Sequence, residues 1–149
     1  MKVLVYGNSG SGKSTYAREL STHLGLAHLD LDSIVWEPGK IAVQRDHQSI
    51  SASLLEFLAS EPRWVIEGCY GELVEVASAH CSKLVFLNPG LQTCLANNLK
   101  RPWEPNQYAS MELQNSMLAT LQPCIAGYYT WEDAWSYKVH HRNFKVFGR

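Results

Sequence analysis

With 149 residues, 46% of them hydrophobic, and five Trp, seven Tyr and four Phe, the chain can bury one substantial core and is expected to form a single domain, residues 1–149. Thirteen Lys and Arg against fourteen Asp and Glu leave a net charge of −1, which gives no general electrostatic case for a nucleic-acid or membrane partner. No apolar run reaches the ~20 residues of a membrane span, no secretory signal is evident, and Cys69, Cys81, Cys94 and Cys124 are too dispersed for a Cys-x-x-Cys motif, so a cytoplasmic protein with reduced thiols is expected.

Residues 2–6 are apolar and aromatic without polar alternation, as in a strand covered on both faces of a parallel sheet. A glycine-rich turn follows. From Lys13, Tyr16, Ala17, Leu20 and Leu24 keep helical spacing and Gly25 stands where a helix-ending glycine belongs. Residues 26–31 (LAHLDL) read as a second strand ending in acids, and 33–40 as a loop around Pro38-Gly39. An amphipathic helix is expected over about 44–60, on Ile50, Leu54, Leu55 and Leu58. Trp64-Val65-Ile66, closing on Glu67-Gly68, is a third strand, and residues 83–87 (KLVFL) a fourth, broken by Asn88-Pro89-Gly90. Short strands alternating with helices imply βαβ units. The fold expected is therefore α/β, with a mostly parallel sheet of four or five strands. LQTCLANNLKR is helix-like, Pro102 and Pro105 interrupt it, and the C-terminal third from Ala109 reads as helical; residues 144–147 are the late strand candidate. The basic residues Lys138, Arg142, Lys145 and Arg149 read as a solvated helix face, His140-His141 as surface and His28 as a packed histidine.

GNSGSGKST, residues 7–15, fits G-x-x-x-x-G-K-[ST] in the strand-to-helix context that a phosphate-binding loop requires. Gly7, Asn8, Ser9, Gly10, Ser11 and Gly12 would wrap phosphates with backbone N–H groups at a helix start, Lys13 would reach the β- and γ-phosphates, Ser14 would ligate Mg²⁺, and Thr15 would bond a phosphate. A nucleoside triphosphate with Mg²⁺ is the expected ligand. Asp30 and Asp32 leave the second strand at the carboxyl rim of the sheet, where ligands of open parallel sheets lie. One carboxylate there can hold Mg²⁺ and the other can position an attacking hydroxyl. Glu67 ends the third strand at the same rim and is a second candidate for metal or base. KRPWEPNQY, residues 100–108, offers Lys100 and Arg101 beside proline-braced aromatics and is a candidate lid spanning about 100–110, while Trp36, Tyr70, Trp103 and Tyr108 are candidates to wall a pocket.

The phosphate loop with its third glycine, followed by a strand ending in Asp-x-Asp, resembles the shikimate kinase and adenylate kinase branch of the P-loop kinases. The segments MKVLVYGNSGSGKSTYAREL, HLDLDSIVWEPG and RWVIEGCY resemble small P-loop proteins labelled DNA topology modulation protein. The resemblance implies a three-layer αβα P-loop fold, ATP on residues 7–15, Asp30 assisting Mg²⁺ and Asp32 binding the acceptor hydroxyl. Glu67-Gly68-Cys69-Tyr70 stands where shikimate kinases have a triple-glycine turn, and the arginine set of adenylate kinases is missing. The expectation is an ATP- and Mg²⁺-dependent small-molecule kinase, with Lys13, Asp32 and Arg101 catalytic and Ser14 and Asp30 at the metal. The alternative is a P-loop nucleotide switch or weak NTPase with a regulatory role.

Overall fold

The computed structural model describes residues 1–40, 43–101, 110–133 and 135–147. Its elements in chain order are β1 (Lys2–Gly7), α1 (Lys13–Leu24), β2 (Ala27–Asp30), α2 (Asp32–Val35), α3 (His47–Ser60), β3 (Trp64–Gly68), α4 (Gly71–Ser78), β4 (Lys83–Leu87), α5 (Leu91–Leu99), α6 (Met111–Ala126) and α7 (Tyr137–Phe147). The strands form one parallel sheet in the order β2-β3-β1-β4.

Alternation along β1 splits the interior into two layers. Val3 and Val5 face one side with Val65, Leu26 and Ala17 of α1, whereas Leu4 and Tyr6 face the other with Ile66, Trp64, Ile50 and Leu54 of α3, and Val74 and Ala77 of α4. Burying each such Leu or Ile stabilises the fold by roughly 1.5–3 kcal/mol. Helices on both faces of a parallel sheet make the three-layer α/β architecture that the resemblance implies.

The sheet has four strands among the described residues, and residues 144–147 are helix rather than strand. Tyr137, His140, Phe144 and Phe147 recur at helical spacing on α7. The rings of the first three pack around Phe86 of β4, at 6.1, 6.2 and 5.9 Å between centroids. A helical period, not a two-residue one, turns that face toward β4, with His140 buried at its centre and Phe144 still exposed. The same packing overturns the surface reading of His140, which is fully buried. His141 is half-buried and stacks on Tyr137 at 5.2 Å. Lys138, Arg142 and Lys145 are exposed on the same helix, while Arg149 lies outside the described residues.

Candidate functional site

Residues 8–12 leave the carboxyl end of β1 and turn into α1. Gly10 adopts φ +78°, and a Cβ there would collide with the Cys94 carbonyl, so a residue with a side chain cannot close this turn. α1 starts at Gly12 without a side-chain cap, and its first-turn N–H groups and positive dipole end open onto the loop. Lys13 is buried, and its ammonium donates to the Asn8 carbonyl at 2.9 Å. Ser11 Oγ is shut away from water with no hydrogen-bond partner among the described residues, an orphan that a bound phosphate oxygen would satisfy. Two side chains brace the loop from outside, Asn97 Nδ2 donating to Gly10 O at 2.8 Å and Arg101 Nη2 to Ser9 Oγ at 3.4 Å, while the loop's own Asn8 Nδ2 donates outward to Ile125 O of α6 at 3.4 Å.

Parallel register sets Asp30 directly beside Glu67 across β2 and β3. Glu67 is 2% exposed; its Oε1 accepts from Ser14 Oγ at 2.9 Å and lies 3.5 Å from His28 Nε2. His28, expected to be packed, is thus at the rim. Asp30 Oδ1 accepts from the Asp32 backbone N–H at 2.9 Å, which turns the chain from β2 into α2. Burial, and after it the charges of Asp32 and Glu67, push the Asp30 carboxyl up to about 8. Carboxylates crowded to that degree call for a cation. The hydroxyl and carboxylate oxygens of Ser14, Asp30 and Glu67 are hard donors that suit Mg²⁺. No group of three or more His, Cys, Asp or Glu is posed for a metal among the described residues.

Asp32, at the first turn of α2, is held by two aromatic side chains. Tyr70 donates its hydroxyl to Asp32 Oδ1, and Trp36 Nε1 donates to the same oxygen at 3.3 Å and to the Tyr70 oxygen at 2.6 Å. Burial, reinforced by the Asp32 charge, raises the Tyr70 phenol far above its ordinary value, so the proton stays on tyrosine and the carboxylate accepts. Both bonds fall on Oδ1; Oδ2 takes part in neither. Trp135 stands edge-on to Tyr70 at 5.9 Å. Beyond Tyr70 lies a cleft of about 370 Å³ lined by Val35, His47, Leu73 and Trp135, with Glu72 and Asp133 as its acids and no Lys or Arg in the described lining. That volume suits a small metabolite.

The residues singled out from the sequence therefore converge. Gly7 to Thr15, Asp30, Asp32 and Glu67 share the carboxyl rim of the sheet, and Arg101 reaches the loop through Ser9. Lys100 is exposed. Most of the expected lid, with Trp103 and Tyr108, lies outside the described residues. Sequence reasoning missed the pairing of Tyr70 and Trp36 with Asp32, and it missed His140 and Asn143, which lie behind Tyr70. Contacts between positions 32 and 70 leave no local pattern; the helical spacing of α7 was the one available signal.

No protein-family model matches the chain, and no curated protein does. Among solved structures it aligns with shikimate kinase from Bacteroides thetaiotaomicron at 18% identity, over 98% of this chain and 97% of that one, with a TM-score of 0.51. That likeness shows the fold alone, a three-layer α/β P-loop fold. Shikimate kinase from Acinetobacter baumannii in complex with shikimate aligns at 17% identity, over 97% and 92% of the two chains, with a TM-score of 0.49. A sugar kinase from a Janibacter species aligns at 18%, over 99% and 95%, also with a TM-score of 0.49.

Proposed function

We propose that the chain is an ATP- and Mg²⁺-dependent kinase that transfers the γ-phosphoryl group to a hydroxyl of a small metabolite. One observation carries this reading: a carboxylate already oriented by two donors, Asp32, stands at the same rim as a phosphate loop whose Ser14 touches an acid. A simple nucleotide switch has no use for an oriented carboxylate beside a small cleft.

The loop N–H groups and the helix start receive the phosphates, and Lys13 exchanges the Asn8 carbonyl for β- and γ-phosphate oxygens. Ser14 and Asp30, with Glu67 beside Ser14, would hold Mg²⁺, which neutralises charge on the transferred group. Asp32 accepts the proton of the acceptor hydroxyl as that oxygen bonds to the γ-phosphorus and the bond to the β–γ bridging oxygen breaks, releasing ADP. Arg101, next to Ser9, is placed to offset phosphate charge from the far side of the loop. Glu72, Asp133 and the aromatic rings of the cleft beside Tyr70 favour a neutral or cationic acceptor.

The test is a panel of sugars, polyols, amino alcohols and hydroxy acids with Mg²⁺-ATP, following ADP and phosphorylated product. Transfer to a neutral or amine-bearing alcohol is expected, and Asp32→Asn should lower it by roughly 10²–10⁴-fold while ATP binding persists. Slow phosphate release with every acceptor would sink the kinase reading in favour of the switch.

A further inference from the structure

We infer that His140 and Asn143 of α7 are positioning residues for Asp32, acting through Tyr70. The inference rests on the kinase reading in assigning Asp32 a task; the clamp itself rests on geometry alone.

The two side chains are one helical turn apart and buried, 0% and 3% exposed. His140 Nε2 bonds the Cys69 carbonyl at 2.7 Å, and Asn143 Nδ2 donates to the Gly71 carbonyl at 3.3 Å. The two carbonyls flank Tyr70, so α7 grips the backbone on both sides of the residue that bonds Asp32.

The tautomer of His140 follows from its partners. A carbonyl only accepts, so Nε2 carries the hydrogen, and Nδ1 is left to accept from the Tyr128 hydroxyl at 2.9 Å. Tyr6 of the central strand donates its hydroxyl to the His140 carbonyl at 3.0 Å. The histidine is therefore pinned to β1 and to Tyr128 while it holds the turn after β3. Backbone carbonyls in that turn find these donors in side chains rather than in a sheet ladder. A hydroxyl aimed at a reacting carboxylate needs such over-determination, since misplacement by 1 Å costs about 10²-fold.

The test reads the tyrosine's position without relying on turnover. The indole N–H of Trp36 donates to both Tyr70 and Asp32, so its amide-type NMR resonance, assigned with Trp36→Phe, reports the pair. Tyr70→Phe should shift that resonance and speed its hydrogen exchange. Asn143→Leu and His140→Leu should move it in the same direction, and His140→Gln, which restores a donor to the Cys69 carbonyl, should return it. Trp64, buried and without a hydrogen-bond partner at its indole nitrogen among the described residues, serves as the control that the core is intact. If His140→Leu fails to fold, Asn143→Leu carries the test, since it removes the amide donor while keeping the number and branching of side-chain heavy atoms. A Trp36 resonance unmoved in Asn143→Leu, with Trp64 unchanged, overturns the clamp. In the kinase assay the folded clamp variants should lose roughly ten- to a hundredfold in turnover with the ATP KM unchanged. Turnover intact in a variant whose Trp36 resonance has moved would overturn the positioning role, and absence of transfer in the unmutated protein would overturn the kinase reading alone.

Discussion

Asp30 sets the charge state of the site. Its carboxyl is raised from 3.8 to about 8, first by burial and then by Asp32 and Glu67, so at pH 7 the free protein holds a proton there. The raised value stabilises the fold fully below pH 3.8, and that contribution is lost as pH climbs through 8. Mg²⁺-ATP binding at pH 7 should expel about one proton, because a metal-side carboxyl must ionise. Calorimetry in two buffers of different ionisation enthalpy measures that proton, and Asp30→Asn should erase it. The same variant should make the free protein more stable than the parent at pH 8, by chemical denaturation. Gly10 gives a second prediction at this scale: Gly10→Ala should weaken ATP binding while the sheet survives, read by nucleotide titration beside circular dichroism.

Secondary elements were legible to very different degrees. β1, α1, β3 and β4 declare themselves locally, through short apolar runs and one stereotyped loop, and they carry most of the phosphate site. β2 ends at Asp30 instead of 31, because the Asp30 carboxylate captures the Asp32 N–H and starts α2 there. α4 went unread although Leu73, Val74 and Ala77 keep helical spacing, since eight residues between two strands give the pattern little length. α7 was harder: its buried face includes a histidine and an asparagine, residues that read as surface until their partners on other elements are known. α3 shows the ordinary case, with Leu54 1% exposed at the centre of its apolar stripe. Leu54→Ala should cost about 2–5 kcal/mol in a denaturant melt, and because α3 stands away from the phosphate loop, the ATP dissociation constant of the folded fraction should hold.

At the scale of the whole molecule, one buried polar network, Tyr6, His140, Tyr128 and the Cys69 carbonyl, ties the helical C-terminal region to the central strand. Burial lowers His140 from 6.5 to about 4. Above pH 6.5 neither the native nor the unfolded chain holds its proton; between 6.5 and 4 the unfolded chain does and the native one does not, so stability falls as pH falls. The full difference is about 3 kcal/mol. Urea melts between pH 7 and 4 should show this loss in the parent and a flatter profile in His140→Gln, the comparison cancelling the opposite contribution of Asp30.

The bond from Tyr6 to His140 spans 134 positions in the sequence. During synthesis, β1, the phosphate loop and the strand-end acids all emerge long before α7. Until α7 emerges, the turn that carries Tyr70 lacks the donors of His140 and Asn143. On the clamp proposed above, competence to transfer therefore waits for α7, long after the phosphate loop has been made.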